Sequence, residues 1–350
     1  MQSWGIETKI FFLYGDNDAR EICTSSRAIP VRMSRTARVD PLGLVRMRAA
    51  LRSWAPDVLH CHEYYPAFAA LVLRYSGVRV PIVDTVHLDL FRGRQRSDPL
   101  IRWTLNHCDR VTAVSRHTAT TVKSFTSGRV QPQVIANGIG LDRMKPLPQF
   151  TRESKRAALG CDADSLILIT VAALTKVKDH RTLLCAFAAA LPSLGPARLM
   201  MVGDGPLRSD LEELATSLRI KQHVLFLGLR SDVQELLRAA DIFVLSTHNE
   251  GFPISVIEAC WLGIPAVATE VGGLADLRAA NLKVVLTEAR SVTSLRDALI
   301  SLADRRTRQL LGQQLRKQAR ALFDIERTVH DYSSLYVELL AGNHKCGQTK

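Results

Sequence analysis

Short apolar runs rich in β-branched residues alternate along the chain with longer stretches whose apolar positions recur every three or four residues. The first pattern fits strands buried on both faces, and the second fits the amphipathic helices that cover them. In the first half, strands are predicted at 9–14, 28–32, 58–61, 82–85, 110–114 and 133–136, with helices at 41–54, 65–75 and 116–125. The second half repeats the scheme, with strands at 166–171, 198–202, 224–227, 242–246, 266–268 and 283–286. Its helices are predicted at 180–191, 206–218, 233–239 and 254–262. Such alternation specifies an α/β protein with doubly wound parallel sheets. Pro146 and Pro148 stiffen the segment 145–150 into a connector. The expected organisation is an N-terminal Rossmann-like domain over 1–147, a C-terminal one over 148–320, and a helix over 321–342 packing back on the first domain. After Thr293 only helical patterns remain, and the polar tail 341–350 is expected to fray. Two such domains face each other across a cleft, and ligands sit outside the carboxyl ends of the strands.

Composition supports this picture. Of 350 residues, 47% are hydrophobic and 23% charged, which excludes a disordered or fibrous chain and provides core for two domains. No run approaches the ~18 consecutive apolar residues of a membrane-spanning helix. The first ten residues lack the basic start and long apolar run of a secretory signal. Seven scattered cysteines without a Cys-x-x-Cys pair exclude a zinc ribbon and argue against a disulfide framework. The expected protein is soluble, intracellular and reduced.

Charge changes the picture more. The formal net charge is +12, and it is uneven. Residues 1–150 carry 21 bases against 12 acids, net +9, whereas 151–350 carry 25 against 22, net +3. A basic half beside a near-neutral one suggests a domain that meets an anionic surface or ligand, with scattered solvated arginines as the plainer account. Nucleic acid lacks its signature motifs here, which leaves anionic lipid headgroups.

The strongest chemical string is Ser246-Thr-His-Asn-Glu-Gly-Phe-Pro-Ile-Ser-Val-Ile-Glu258. A buried strand runs out at Ser246, a polar loop follows, and Pro253 suits the first turn of a helix. The amides of Ile254, Ser255 and Val256 would open that helix and favour an anion such as a diphosphate. Glu250 and Glu258 would then accept hydrogen bonds from sugar hydroxyls. The plainer alternative is an ordinary ion pair and a helix cap.

With this string the chain resembles the retaining glycosyltransferase family 4, marked by Glu-x7-Glu in a Glu-Gly-Phe-Pro setting. Further matches follow in family order: Asp57-Val-Leu-His-Cys-His62, Asp84-Thr-Val-His87, Val114-Ser115, Asn137-Gly138, Lys178, Gly203-Asp-Gly-Pro206, Phe226-Leu-Gly228, Ala240-Asp241 and Gly272-Gly273. The resemblance covers nearly the whole chain and implies a GT-B fold. It implies a hexosyltransferase that moves a hexose from a nucleoside diphosphate sugar to a glycan or lipid-linked glycan acceptor. Glu250 would contact the donor sugar, Lys178 the diphosphate, and His87 the sugar from the N-terminal domain. Glu258 would hold the ribose, the backbone at Gly228 would read the base, and Gly203 and Gly205 would let the chain pass close to the nucleotide. Gly251, Phe252, Ile254 and Ser255 belong to the same donor site. No cofactor beyond the donor substrate and no metal is expected, the cationic work falling to Lys178 and helix N-termini. His60, Cys61 and His62 are expected to pack beside their strand end rather than to ligate metal. Asp162-Ala-Asp164 reads as a surface loop, and Asp16-Asn-Asp18 stands without supporting motifs. The expected location is cytoplasmic, peripheral on the inner face of the membrane, with no nucleic-acid partner.

Several positions depart from the family pattern. Ala173 stands where a second cation usually precedes the diphosphate lysine, Gly140 where Asp is usual, and Ala275-Asp276 where Pro-Glu is usual. The opening Met1-Gln-Ser-Trp-Gly-Ile-Glu-Thr reads like the end of a first helix, so the first strand–Gly-loop–helix unit is expected to be missing. The N-terminal sheet should then have one strand fewer, or a gap beside 58–61. Two rival readings remain open at this level: a weakly active or inactive sugar-nucleotide-binding relative needing a partner, and a nucleotide-sugar epimerase on the same architecture.

Overall fold

The computed structural model describes residues 5–14, 28–32, 40–87 and 98–346. Asp16-Asn-Asp18 lies outside them. The chain divides into two compact units, one comprising Met1–Ile135 with Thr328–Lys350 and the other Ala136–Arg327. The division therefore falls ahead of the Pro-rich 145–150 segment. Met144 is buried in the core of the second unit, and the Leu147 amide donates to Glu235 Oε1 at 3.1 Å. Prolines stiffen that segment, but apolar burial and this bond decide which unit owns it.

In the first unit, β1 (Ile10–Tyr14) and β2 (Ala28–Arg32) pair in parallel as a separate two-stranded sheet. Helix α1 (Pro41–Trp54) starts where Asp40 accepts from the Gly43 amide and Pro41 occupies the first turn, and it ends at Ala55 in a left-handed conformation. Next come β3 (Leu59–His62), α2 (Tyr64–Tyr75), β4 (Ile82–Val86), α3 (Pro99–His107), β5 (Arg110–Ala113), α4 (Arg116–Phe125) and β6 (Gln133–Val134). Strands β3 to β6 form a parallel sheet in chain order. β4 is its buried centre: Ile82 and Val86 pack on opposite neighbours from Val83, as the two-residue period of a strand requires. β3 is an edge, and no strand pairs with its outer side among the described residues. Residues 10–14 do not fill that position, because their partner is β2.

The second unit begins with α5 (Arg152–Ala158) and runs through β7 (Leu166–Val171), α6 (His180–Leu194), β8 (Ala197–Val202), α7 (Arg208–Ser217), β9 (Val224–Gly228) and α8 (Val233–Ala239). It continues with β10 (Ile242–Leu245), α9 (Ile254–Leu262), β11 (Ala266–Thr269), α10 (Gly273–Ala279), β12 (Val285–Thr287), α11 (Val292–Ser301) and α12 (Arg305–Leu322). Its six parallel strands lie in the order β12-β11-β10-β7-β8-β9. β7 explains why its sequence is continuously apolar: Ile167 and Ile169 fill the core on one face, Leu166 and Leu168 the core on the other. Chain direction across the sheet reverses between β7 and β10, the switch point where connecting loops diverge and leave room for a ligand. The last helix, α13 (Ile325–Cys346), belongs to the first unit from Thr328 onward. Tyr332, Leu335 and Leu339 pack there with Val83 and Ile135. Helix continues to Cys346, into the polar tail.

Candidate functional site

At the switch point, two loops are bonded into one platform. After β10, the Ser246 hydroxyl donates to the carbonyls of Lys178 and Asp179 at 3.2 and 3.0 Å. The Thr247 hydroxyl donates to Val177 O at 3.1 Å, and the His248 amide to the same oxygen at 2.7 Å. Thr269 Oγ1 accepts from the Thr247 amide and donates to its carbonyl. These bonds hold the turn at Lys176–Lys178 against the loop that carries Glu250.

Two side chains meet on this platform. Lys178 Nζ donates to Glu250 Oε2 at 2.5 Å, with the lysine 23% and the carboxylate 12% exposed. Partial burial makes such a pair stronger than a solvated one, while its edge stays open to a ligand. The Glu250 carbonyl accepts from the Gly273 amide at 2.7 Å. Gly272, at φ +54°, lies so close that a Cβ there would strike the Glu250 backbone. Gly272-Gly273 thus acts through close backbone contact, and the adjacent Ala275-Asp276 departure leaves it intact.

The start of α9 supplies fewer free amides than its sequence suggests. The Ile254 N–H is spent on Phe252 O at 3.0 Å, whereas no acceptor among the described residues takes those of Ser255 and Val256. Pro253 caps the helix without a side-chain bond. Gly251 is buried. The half-buried Phe252 ring packs edge-on against Phe323 at 5.8 Å, so one side of it meets the core of the unit. Glu258 lies deeper, 4% exposed, with Arg143 Nη2 at 2.7 Å from its Oε1. Burial pushes the Glu258 carboxyl up, and the guanidinium pulls it back down. Arg143 lies beyond the reach of motif reading, because nothing in its spacing marks it.

The glycines have a backbone reason. A Cβ at Gly203 would collide with Ala172 O, and one at Gly205 with the Leu174 backbone. Both allow β8 to pass against the loop that leads to Lys178. Gly203 also donates its N–H to Gly228 O at 2.9 Å. The Gly228 carbonyl is therefore occupied, and Leu229, 83% exposed, is the next group along that strand end. Ala173 is exposed and presents its carbonyl to His180 Nε2 at 3.1 Å, so the strand end carries no cation in that place.

His87 lies in the first unit, in a cluster of imidazoles. Its Nε2 is 2.8 Å from His62 Nδ1, and its amide donates to Glu63 Oε1 at 3.0 Å. His60 bridges Tyr336 Oη and Thr85 Oγ1, at 2.6 Å each. Burial lowers His87 to about 4 and His60 to about 3, and pushes His62 down as well. All three are neutral at pH 7, so His87 offers a hydrogen bond and no charge. Asp84, fully buried beside them in sequence, has no partner for either oxygen among the described residues, and burial raises it to about 8. Among the described residues no group of three or more His, Cys, Asp or Glu could hold a metal ion. Asp162 and Asp164 are exposed in a loop.

A parallel doubly wound unit with a paired lysine and glutamate at its switch point, following a second α/β unit in the chain, has the architecture of the GT-B class, with the switch point as its ligand site. Comparison with known proteins makes this specific. Residues 151–321 match the family model for glycosyl transferases group 1, and residues 1–143 that for glycosyltransferase family 4. The chain belongs to the family 4-like GT-B glycosyltransferases and is a glycosyltransferase. It is 29% identical over 290 residues to the N-acetyl-alpha-D-glucosaminyl L-malate synthase of Bacillus anthracis, covering 81% of this chain and 75% of that one. It is 24% identical over 316 residues to the UDP-Gal:alpha-D-GlcNAc-diphosphoundecaprenol alpha-1,3-galactosyltransferase of Escherichia coli, covering 86% and 80%. The crystal structure of HepE from Anabaena in complex with UDP shares the fold, with TM-score 0.80 at 20% identity over 93% of this chain and 92% of that one.

Proposed function

We propose that this glycosyltransferase moves a hexose from a nucleoside diphosphate sugar to a hydroxyl of a glycan or lipid-linked glycan, retaining the anomeric configuration and needing no metal. The observation that carries the donor assignment is the Lys178–Glu250 pair at the switch point. In this reading Lys178 leaves Glu250 for the diphosphate, Glu250 accepts from sugar hydroxyls, and Glu258 from the ribose. The free amides of Ser255 and Val256 add positive potential for the phosphates. The bond from the anomeric carbon to the diphosphate breaks, and a bond to the acceptor oxygen forms on the same face. The acceptor proton passes to the departing phosphate oxygen. The protein contributes position and stabilised leaving-group charge. Acceptor class is carried over from relatives such as the diphosphoundecaprenol-directed galactosyltransferase.

The test is transfer assayed over a panel of nucleotide sugars, with the product anomer read by NMR and with chelator present. Expected are one productive α-linked donor, an α-linked product, and no loss in chelator. An inverted product, or activity lost in chelator and restored by a divalent ion, overturns the retaining or metal-free reading respectively. Ala173 favours one second reading, a donor-binding relative of low activity. Donor bound without turnover would select it.

We further infer that the first unit rests on an anionic membrane surface. Supporting this, α1 exposes Leu42 (64%) and Val45 (66%) beside exposed Arg46 and Arg52, an apolar and basic face suited to an interface. No helix among the described residues is long and apolar enough to cross a membrane. Binding to vesicles containing phosphatidylglycerol should exceed binding to pure phosphatidylcholine and weaken with salt, as charges are screened beyond ~8 Å at physiological ionic strength. Equal binding to both, or none, refutes the surface.

A further inference from the structure

Glu258 presents a physical problem. A carboxylate 4% exposed and pushed toward its neutral form by burial is a poor acceptor for ribose hydroxyls unless something keeps it charged. The groups around it are few. The elements packed on α9 bring Glu235 and Arg238 from α8, and Arg316 and Arg320 from α12. Each is engaged elsewhere: Glu235 with the Leu147 amide, Arg238 with Met144 O, Arg316 with Leu262 O, and Arg320 over the Trp261 ring. Strands β10 and β11 carry no charged residue. Among the described residues, only Arg143 meets the carboxylate.

Arg143 is held in place from both sides. Ahead of it, the Ile139 amide donates to Phe323 O at 2.8 Å and Ile139 O accepts from the Ile325 amide at 3.3 Å. Behind it, Met144 is 3% exposed in the core and its carbonyl accepts from Arg238 at 2.5 Å. The side chain itself is 64% exposed, so its charge is available at the rim. At 2.7 Å the guanidinium forms an ion pair with Oε1, and Oε1 takes part in no hydrogen bond among the described residues. Charge is balanced while the lone pairs of Oε1 stay unspent.

We propose that Arg143 is the positioning residue of the donor site, holding Glu258 ionised and oriented while leaving its oxygens to accept from the ribose hydroxyls. This rests on the donor-site reading above, and it adds the residue by which the loop after the first unit tunes nucleotide affinity. Arg143 acts on the ribose through Glu258 and takes no part in breaking the glycosidic bond.

The test measures binding of UDP, GDP, ADP and dTDP, and then the donor KM and kcat with the sugar of the tightest binder. Arg143→Met should raise the nucleotide Kd and the donor KM about three- to fivefold, the range for a pair with one exposed partner. kcat at saturation should change less than twofold. The acid limb of the KM profile should move to higher pH, because without the guanidinium Glu258 takes up its proton earlier. Arg143→Lys should restore most of the affinity and the wild-type acid limb. The double variant with Glu258→Gln should be no weaker than Glu258→Gln alone. If none of the four nucleotides binds, or Glu258→Gln leaves Kd within twofold, the donor-site reading falls. If Glu258→Gln weakens binding but Arg143→Met leaves both Kd and the acid limb unmoved, or the two effects add, the positioning role alone is overturned.

Discussion

Lys178→Ala is expected to weaken binding of the nucleotide-sugar donor by about tenfold or more, since a charge-assisted bond to phosphate is worth roughly 1.5–3 kcal/mol. The geometry adds a second penalty. Glu250, 12% exposed and now without Lys178, would stand as an unpaired carboxylate beside the incoming diphosphate. Like charges at that distance repel, so the loss should exceed that of a single phosphate contact. Calorimetric titration of donor into the wild type, Lys178→Ala and the double variant Lys178→Ala with Glu250→Gln separates the two. The double variant should recover part of the affinity if repulsion contributes. Wild-type affinity in Lys178→Ala would show that the diphosphate binds elsewhere.

Glu250→Gln and Glu258→Gln should both impair transfer, by different routes. Each substitution keeps size and removes the charge that strengthens hydrogen bonds from hydroxyls. Glu250 sits on the loop after β10, in contact with the lysine assigned to the leaving group, so its loss should fall mainly on turnover. About tenfold in kcat is expected if one charge-assisted bond is made chiefly in the transition state. Glu258 is buried on α9, away from that pair, so its loss should fall mainly on nucleotide affinity, again by about tenfold. Steady-state kinetics against donor concentration checks the split. A common effect on kcat alone, or changes below twofold in both, would refute the division of labour.

The strand edges differ from expectation by a residue or two because strand ends depend on neighbours the pattern does not name. β3 runs Leu59–His62 where 58–61 is predicted, for example, since its register is set by pairing Leu59 with Ile82. The Phe252 ring is a sharper case. Its place in the Glu-Gly-Phe-Pro string suggests the donor site, yet it packs on Phe323, a residue beyond α12.

By itself the sequence determined the α/β class, the two larger parallel sheets, and the loop–helix string from Ser246 to Glu258. Those features are written in local periodicity: continuous apolar runs make buried strands, and Pro253 opens the helix wherever the rest of the chain goes. Only the tertiary structure decided that Lys178 and Glu250 touch, that Gly203 and Gly205 exist for the backbone of Ala172 and Leu174, and that Arg143 meets Glu258. It also decided that Met144 anchors the Pro-rich segment to the second unit, and that α13 carries Tyr332 to Thr85. Each of these joins residues distant in the chain. Such contacts depend on which faces are buried against each other and on which bonds remain once the sheets have packed, and no spacing along the chain encodes that choice.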